Sequence, residues 1–148
     1  MAVYCASKAL GFEAVKRLGV EQEPSFDIVH IMPSWVLGQL EGTTVHLDDM
    51  AKMHVLALDS KVQDDQEFMA ASPESTDWAG ASDIARKRYL KECARGIFGF
   101  DSIPRPLTRK LRIDSRKAEK TFGFTFKPFE EQVVSVVDHF LELVAGKE

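Results

Sequence analysis

The stretch Phe26-Asp27-Ile28-Val29-His30-Ile31-Met32, closed by Pro33, is β-branched and apolar almost throughout. A run of that kind fits a strand covered on both faces, as in a parallel sheet flanked by helices. The segments around it suit that placement. Upstream, Glu21–Ser25 with Pro24 is polar and reads as a loop, and before it Leu10, Ala14 and Leu18 form a helical stripe. That helix is predicted over Ala6–Leu18, with Gly19 as its C-terminal stop. Downstream, Ser34-Trp35-Val36-Leu37-Gly38 reads as an apolar turn and Gln39–Thr43 as a short polar connection.

Further along, Thr44–Leu47 is a candidate brief strand, and Asp48 or Asp49 caps a helix running to Leu58 with Met50, Met53 and Ala57 on one face. Phe68–Ala71 is another short strand candidate. Ser75-Thr76-Asp77 precedes a helix predicted from Trp78 to Arg95, and Ile97–Pro106 is irregular. Leu111-Arg112-Ile113 looks extended, and Ser115 caps a short helix that stops at Gly123. In the last element, Phe129, Val133, Val136, Val137, Phe140 and Val144 recur at helical spacing, with Pro128 in the first turn. Strands alternating with helices, without repeats or a linker, give one α/β unit over residues 1–148.

Composition narrows the class. The 148 residues are 45% hydrophobic and 28% charged, ordinary for a globular chain. A net charge of −4 argues against a general nucleic-acid binder. No apolar run approaches the roughly 20 residues of a membrane helix, and no basic-then-apolar leader opens the chain. Cys5 and Cys93 are too few for a disulfide framework or a thiolate metal site, and there is no asparagine to glycosylate. These features lead us to expect a reduced, cytoplasmic protein with no membrane or nucleic-acid partner.

Chemistry enters at Tyr4-Cys5-Ala6-Ser7-Lys8. Residues four apart share one helix face, one turn from each other. A free phenol titrates near pH 10 and exchanges protons poorly at neutrality, whereas an adjacent ammonium favours the phenolate by Coulomb attraction. Such a pair can give a proton to a carbonyl oxygen or take one from an alcohol. The plainer reading is a partly buried tyrosine beside a solvated lysine.

The order of the segments resembles the C-terminal half of an extended short-chain dehydrogenase/reductase, within the NAD-dependent epimerase/dehydratase superfamily and nearest its dihydroflavonol-reductase-like members. Tyr4–Lys8 matches the family's YxxxK, and Phe26–Gly38 (FDIVHIMPSWVLG) its strand and turn beside the nicotinamide. Thr43–Leu58 (TTVHLDDMAKMHVLAL) is similar to its VxVxDVAxAHxxAL segment, and Ile113–Phe124 (IDSRKAEKTFGF) to its usual ending. The resemblance implies part of a Rossmann-type doubly wound fold with a small helical substrate-side region. It implies an NADP or NAD cofactor and a small carbonyl or alcohol substrate. Tyr4 would be the proton donor and Lys8 the partner that lowers its pKa and bonds the nicotinamide ribose. Pro33, Ser34 and Val36 would line the nicotinamide pocket, largely through the backbone.

The sequence also departs from that family. No Gly-x-Gly-x-x-Gly or Gly-x-x-Gly-x-x-Gly occurs, only three residues precede Tyr4, and Gln39–Gly42 stands where the family has a longer excursion. The cofactor fingerprint, the catalytic serine and most of the parallel sheet are therefore expected to be missing, and activity to be impaired. The alternative is a non-catalytic module that self-associates or docks on a full-length homologue through an exposed sheet edge. His46, Asp48, Asp49 and His54 could ligate a metal, but a strand end and helix cap explain them without one. The basic run from Arg105 to Lys120, and Arg86-Lys87-Arg88, read as solvated faces.

Overall fold

The computed structural model describes residues 2–36, 43–74, 76–100 and 112–146, with the backbone alone for Trp35 and Val36. Its elements are α1 (Ala2–Gln22), β1 (Val29–Pro33), β2 (Trp35–Val36), β3 (Thr44–Val45) and α2 (Leu47–Leu56), then β4 (Gln66–Ala70), α3 (Trp78–Arg88), α4 (Leu90–Ala94), α5 (Arg116–Phe122) and α6 (Phe129–Ala145).

The sheet is parallel, as the apolar run implied. β1 pairs with β4 in the register Val29↔Gln66, Ile31↔Phe68 and Pro33↔Ala70, and β2 pairs with β3. The Ser34 N–H donates to the Ala70 carbonyl (2.8 Å) and the Ser72 N–H to the Thr44 carbonyl (2.6 Å), so the two pairs form one staggered arrangement. Successive residues of a strand point to opposite faces, and that alternation sorts the sheet. Val29 and Ile31 of β1, with Phe68 and Ala70 of β4, face a core completed by Met50 and Met53 of α2 and by Ala118 and Phe122 of α5. The Phe68 and Phe122 rings lie 4.6 Å apart within it. Each large side chain fully buried here adds roughly 1.5–3 kcal/mol. His30 and Glu67, the alternate residues, face the opposite layer, which is α1.

Several boundaries differ from the expectations above. The strand begins at Val29 rather than Phe26, whose ring is 62% exposed. α1 runs through Gly19 to Gln22 and ends where Glu23 turns left-handed (φ 41°) ahead of Pro24, so the proline and not the glycine stops it. His46, not Asp48 or Asp49, caps α2, because its Nδ1 accepts the Asp48 N–H at 3.1 Å. The Trp78–Arg95 helix breaks at Tyr89 (φ −121°, ψ 53°), whose hydroxyl donates toward Asp138 Oδ1 (2.6 Å) and the Val134 carbonyl (3.1 Å) of α6. Tying that side chain to α6 outweighs the helix propensity of the sequence around it. Ser115 precedes α5 but donates its hydroxyl to the Ala71 carbonyl (2.9 Å) instead of accepting a helix N–H. Gly123 (φ 69°) ends α5 as expected, and Pro128 stands at the cap of α6 rather than in its first turn. Trp35 and Val36, read as a turn, are strand. Residues 37–42 and 101–111 lie outside the described residues, and with them most of Gln39–Thr43, Asp101–Pro106 and Leu111.

Candidate functional site

The helix α1 has no buried residue, and a few side chains fix its direction. The Phe12 ring meets His30 of β1 edge-on at 4.9 Å. Lys16 donates to Glu67 of β4 and lies 3.8 Å from Asp65. A methyl group on Gly19 would sit 3.8 Å from Ile28, which precedes β1. Moving forward along α1 from Phe12 to Gly19 therefore means moving backward along the sheet, from His30 to Ile28, so α1 runs antiparallel to β1. Tyr4 is eight residues before Phe12, ~12 Å at 1.5 Å per helical residue. Ser34 is four residues beyond His30, ~13 Å at 3.3 Å per strand residue. Both displacements point the same way, so Tyr4 and Lys8 rise toward the C-terminal ends of the strands, where Pro33, Ser34 and Val36 also lie. That end of a parallel sheet is where open α/β folds place their ligands.

The electrostatics of the anchor explain why it holds. The hydrogen bond to Glu67, helped by the Asp65 charge, holds the Lys16 ammonium above its ordinary range, and the same bond holds the Glu67 carboxyl below its own. His30 is buried, with Nε2 3.5 Å from Asp65 Oδ1 but outside hydrogen-bonding geometry. None of Phe12, Lys16, His30 or Glu67 was singled out from the sequence. Only His30 left a trace, as the one polar residue in the middle of an apolar run.

At the other end of α1, Tyr4 is 59% exposed and the Lys8 ammonium stands 5.6 Å from the centre of its ring. The turn is pinned by Ser7, whose hydroxyl donates to the Tyr4 carbonyl at 2.8 Å. On the sheet, the Ser34 N–H is spent on Ala70 and Pro33 has none, so the backbone of this pair offers no N–H to a ligand. What Ser34 does offer is a buried hydroxyl without a hydrogen-bond partner among the described residues. Buried hydroxyls rarely stay unpaired. The glycine-rich Gly-x-Gly-x-x-Gly pattern that cradles a dinucleotide's phosphates does not occur in the 148-residue sequence.

The histidines and aspartates considered as metal ligands have structural partners. His46 caps α2 and lies 3.2 Å from Lys127 Nζ, His54 Nδ1 contacts the Met50 carbonyl at 2.7 Å, and Asp49 accepts the Lys127 N–H at 2.8 Å. Asp48 pairs with Lys127 Nζ at 2.9 Å, and that bond holds its carboxyl below the usual range. Among the described residues no helix is long and apolar enough to cross a membrane.

No protein-family model matches the chain. It is 30% identical over 176 aligned positions to Ketoreductase CTB6 of Cercospora beticola and, equally, to that of Cercospora nicotianae, alignments that cover 97% of this chain and 49% of each relative. Ketoreductase sphI of Aspergillus fumigatus is 31% identical over 98 residues, 66% of this chain and 27% of that one. The chain thus spans about half the length of the curated relatives it matches. Among solved structures it superposes on yeast methylglyoxal/isovaleraldehyde reductase Gre2 in complex with NADPH, with a TM-score of 0.53 at 20% identity, over 78% of this chain and 38% of Gre2. That likeness carries the fold: a piece of a Rossmann-type α/β architecture. Homologous to ketoreductases along nearly its whole length and sharing part of the Gre2 fold, this chain is extended short-chain dehydrogenase/reductase-like.

Proposed function

We propose that this chain supplies the acid/base helix and one wall of the nicotinamide pocket to an NAD(P)H-dependent carbonyl reductase. The observation behind the reading is the antiparallel run of α1, which carries Tyr4 and Lys8 toward the same end of the sheet as Ser34, whose buried hydroxyl has no partner among the described residues. A bound reduced nicotinamide would supply a hydride to the carbonyl carbon of the substrate. Tyr4 then donates its phenolic proton to the carbonyl oxygen, and the Lys8 ammonium stabilises the negative charge left on the phenol. Ser34 orients the ring through its hydroxyl, and Pro33 and Val36 bound the pocket. Small aldehydes and ketones are the substrate class. The phosphates of the cofactor need a glycine-rich half beyond these 148 residues, so we expect the chain alone to turn over poorly.

The test supplies that half. The chain is mixed with the half of Ketoreductase CTB6 to which it does not align, and NADPH consumption is followed with methylglyoxal or isovaleraldehyde as substrate. Consumption that requires both halves and falls about 10²–10⁴-fold in Tyr4→Phe, the usual worth of a positioned general acid, supports the proposal. Equal rates for wild type and Tyr4→Phe would defeat it. The second reading, an interaction module, is favoured by one observation: Val3 (84%), Leu10 (66%) and Val20 (79%) leave α1 apolar and open. Light scattering decides it, since a chain that stays monomeric at high concentration is no self-associating module.

A further inference from the structure

A cavity of about 460 Å³ opens beside the C-terminal end of β4, between Thr43, Ser72, Pro73 and Glu74 on one side and the Arg112–Arg116 segment on the other. Four of its eight polar side chains are already engaged. Arg116 grips Asp114 with Nε (2.9 Å) and Nη2 (2.6 Å), the Ser115 hydroxyl serves the Ala71 carbonyl, and Glu119 Oε1 accepts the Phe126 N–H at 3.1 Å. The two deepest hydroxyls are not. Thr43 and Ser72 are each 1% exposed, and neither Oγ1 of Thr43 nor Oγ of Ser72 has a hydrogen-bond partner among the described residues. Two unpaired buried hydroxyls in the wall of one cavity are a costly arrangement unless something polar meets them.

The lining indicates what that something is. Arg112 and Arg116 are outnumbered by Glu74, Asp114 and Glu119, so an anion is disfavoured. Serine and threonine hydroxyls both donate and accept, which suits a ligand whose own groups do the same. Arg112 offers donors at the rim and Glu74 offers acceptors, while Pro73 and Ile113 give apolar surface for a carbon skeleton. We propose that this cavity binds a neutral polyhydroxylated small molecule of sugar or polyol size, held by the hydroxyls of Thr43 and Ser72 with Arg112 and Glu74 at its mouth. The site needs neither Tyr4 nor a nucleotide, so it stands or falls apart from the reductase reading.

The experiment is an amide-resolved NMR titration of the full chain with sorbitol, and in parallel with citrate as an anionic probe of similar size. Saturable millimolar shifts with sorbitol at Thr43, Ser72 and Arg112, retained in Tyr4→Phe, are expected. One lost hydrogen bond corresponds to an affinity weakened roughly 2- to 12-fold in Thr43→Val or Ser72→Ala. Arg112→Gln, at an exposed position that does not threaten folding, is expected to weaken it likewise. Shifts that drift linearly without saturating, saturation by citrate in place of sorbitol, or an unchanged affinity in Arg112→Gln would each overturn the proposal.

Discussion

Replacing Phe12 by alanine should loosen α1 without unfolding the protein. The helix buries none of its 21 residues, and the Phe12–His30 contact at 4.9 Å joins the polar anchor at Lys16 and the approach of Gly19 to Ile28 in holding it. An edge-on aromatic pair contributes about 0.5–1.5 kcal/mol beyond the area it covers, and the half-buried ring adds some apolar burial. The expected loss is therefore about 1–2 kcal/mol, or roughly a 5- to 30-fold rise in the open population. Because the core lies on the other face of the sheet, that loss should appear as local opening of α1. Hydrogen exchange followed by mass spectrometry reads it directly: α1 peptides should exchange faster while β1, β4 and α5 keep their protection. Leu10→Ala, at a 66% exposed position on the same helix, is the control and should change little. If Phe12→Ala accelerated exchange across β1 and β4 as much as in α1, the helix would be part of the cooperative core and the two-face account would fail.

Two further outcomes follow from ionisable groups. Burial, reinforced by the hydrogen bond to Asp138, pushes the Tyr89 phenol up to about 12. Its folded pKa exceeds the unfolded value near 10, so this contribution is intact below pH 10 and disappears as pH rises toward 12. Denaturant midpoints measured across that window should fall in the wild type and stay flatter in Tyr89→Phe, which at neutral pH should lose about 0.5–1.5 kcal/mol. The Arg116 side chain bonded to Asp114 holds that carboxyl at about 2. Here the folded pKa lies below the unfolded one, so the stabilisation is present above pH 4 and is lost as pH falls toward 2. Acid titrations of stability should show that slope, and Asp114→Asn should shrink it.

The layering of the fold was legible because it depends on local periodicity. The alternation in Val29-His30-Ile31 sends two residues to the core and one toward α1, and the stripes of α2 and α6 mark their inner faces. What stayed hidden was set by partners distant in sequence. Nothing near Tyr89 signals a helix break, because its cause is Asp138 forty-nine residues on. Nothing near Ser115 says that its hydroxyl will turn to Ala71 instead of capping α5. The site shows the same division. In the proposed site, Tyr4, Lys8 and Ser34 stand out in the sequence as residue types in a pattern, while the contacts that set the course of α1, Phe12 on His30 and Lys16 on Glu67, appear only once α1 is laid on the sheet. The apolar stripe of α6 overstated its burial: Phe129 and Val133 are covered, whereas Val136 and Phe140 are each 43% exposed.

The most direct test of the central claim uses the part of the cofactor that these residues could touch without a glycine-rich half. Reduced nicotinamide mononucleotide is titrated into the isotope-labelled chain and amide shifts are followed residue by residue. Saturable shifts are expected at Ser34 and at the Tyr4–Lys8 turn together, weakened in both Ser34→Ala and Lys8→Met. Saturation mapping to the Lys16–Gln22 end of α1, or no saturable shift near Ser34 at all, would contradict it.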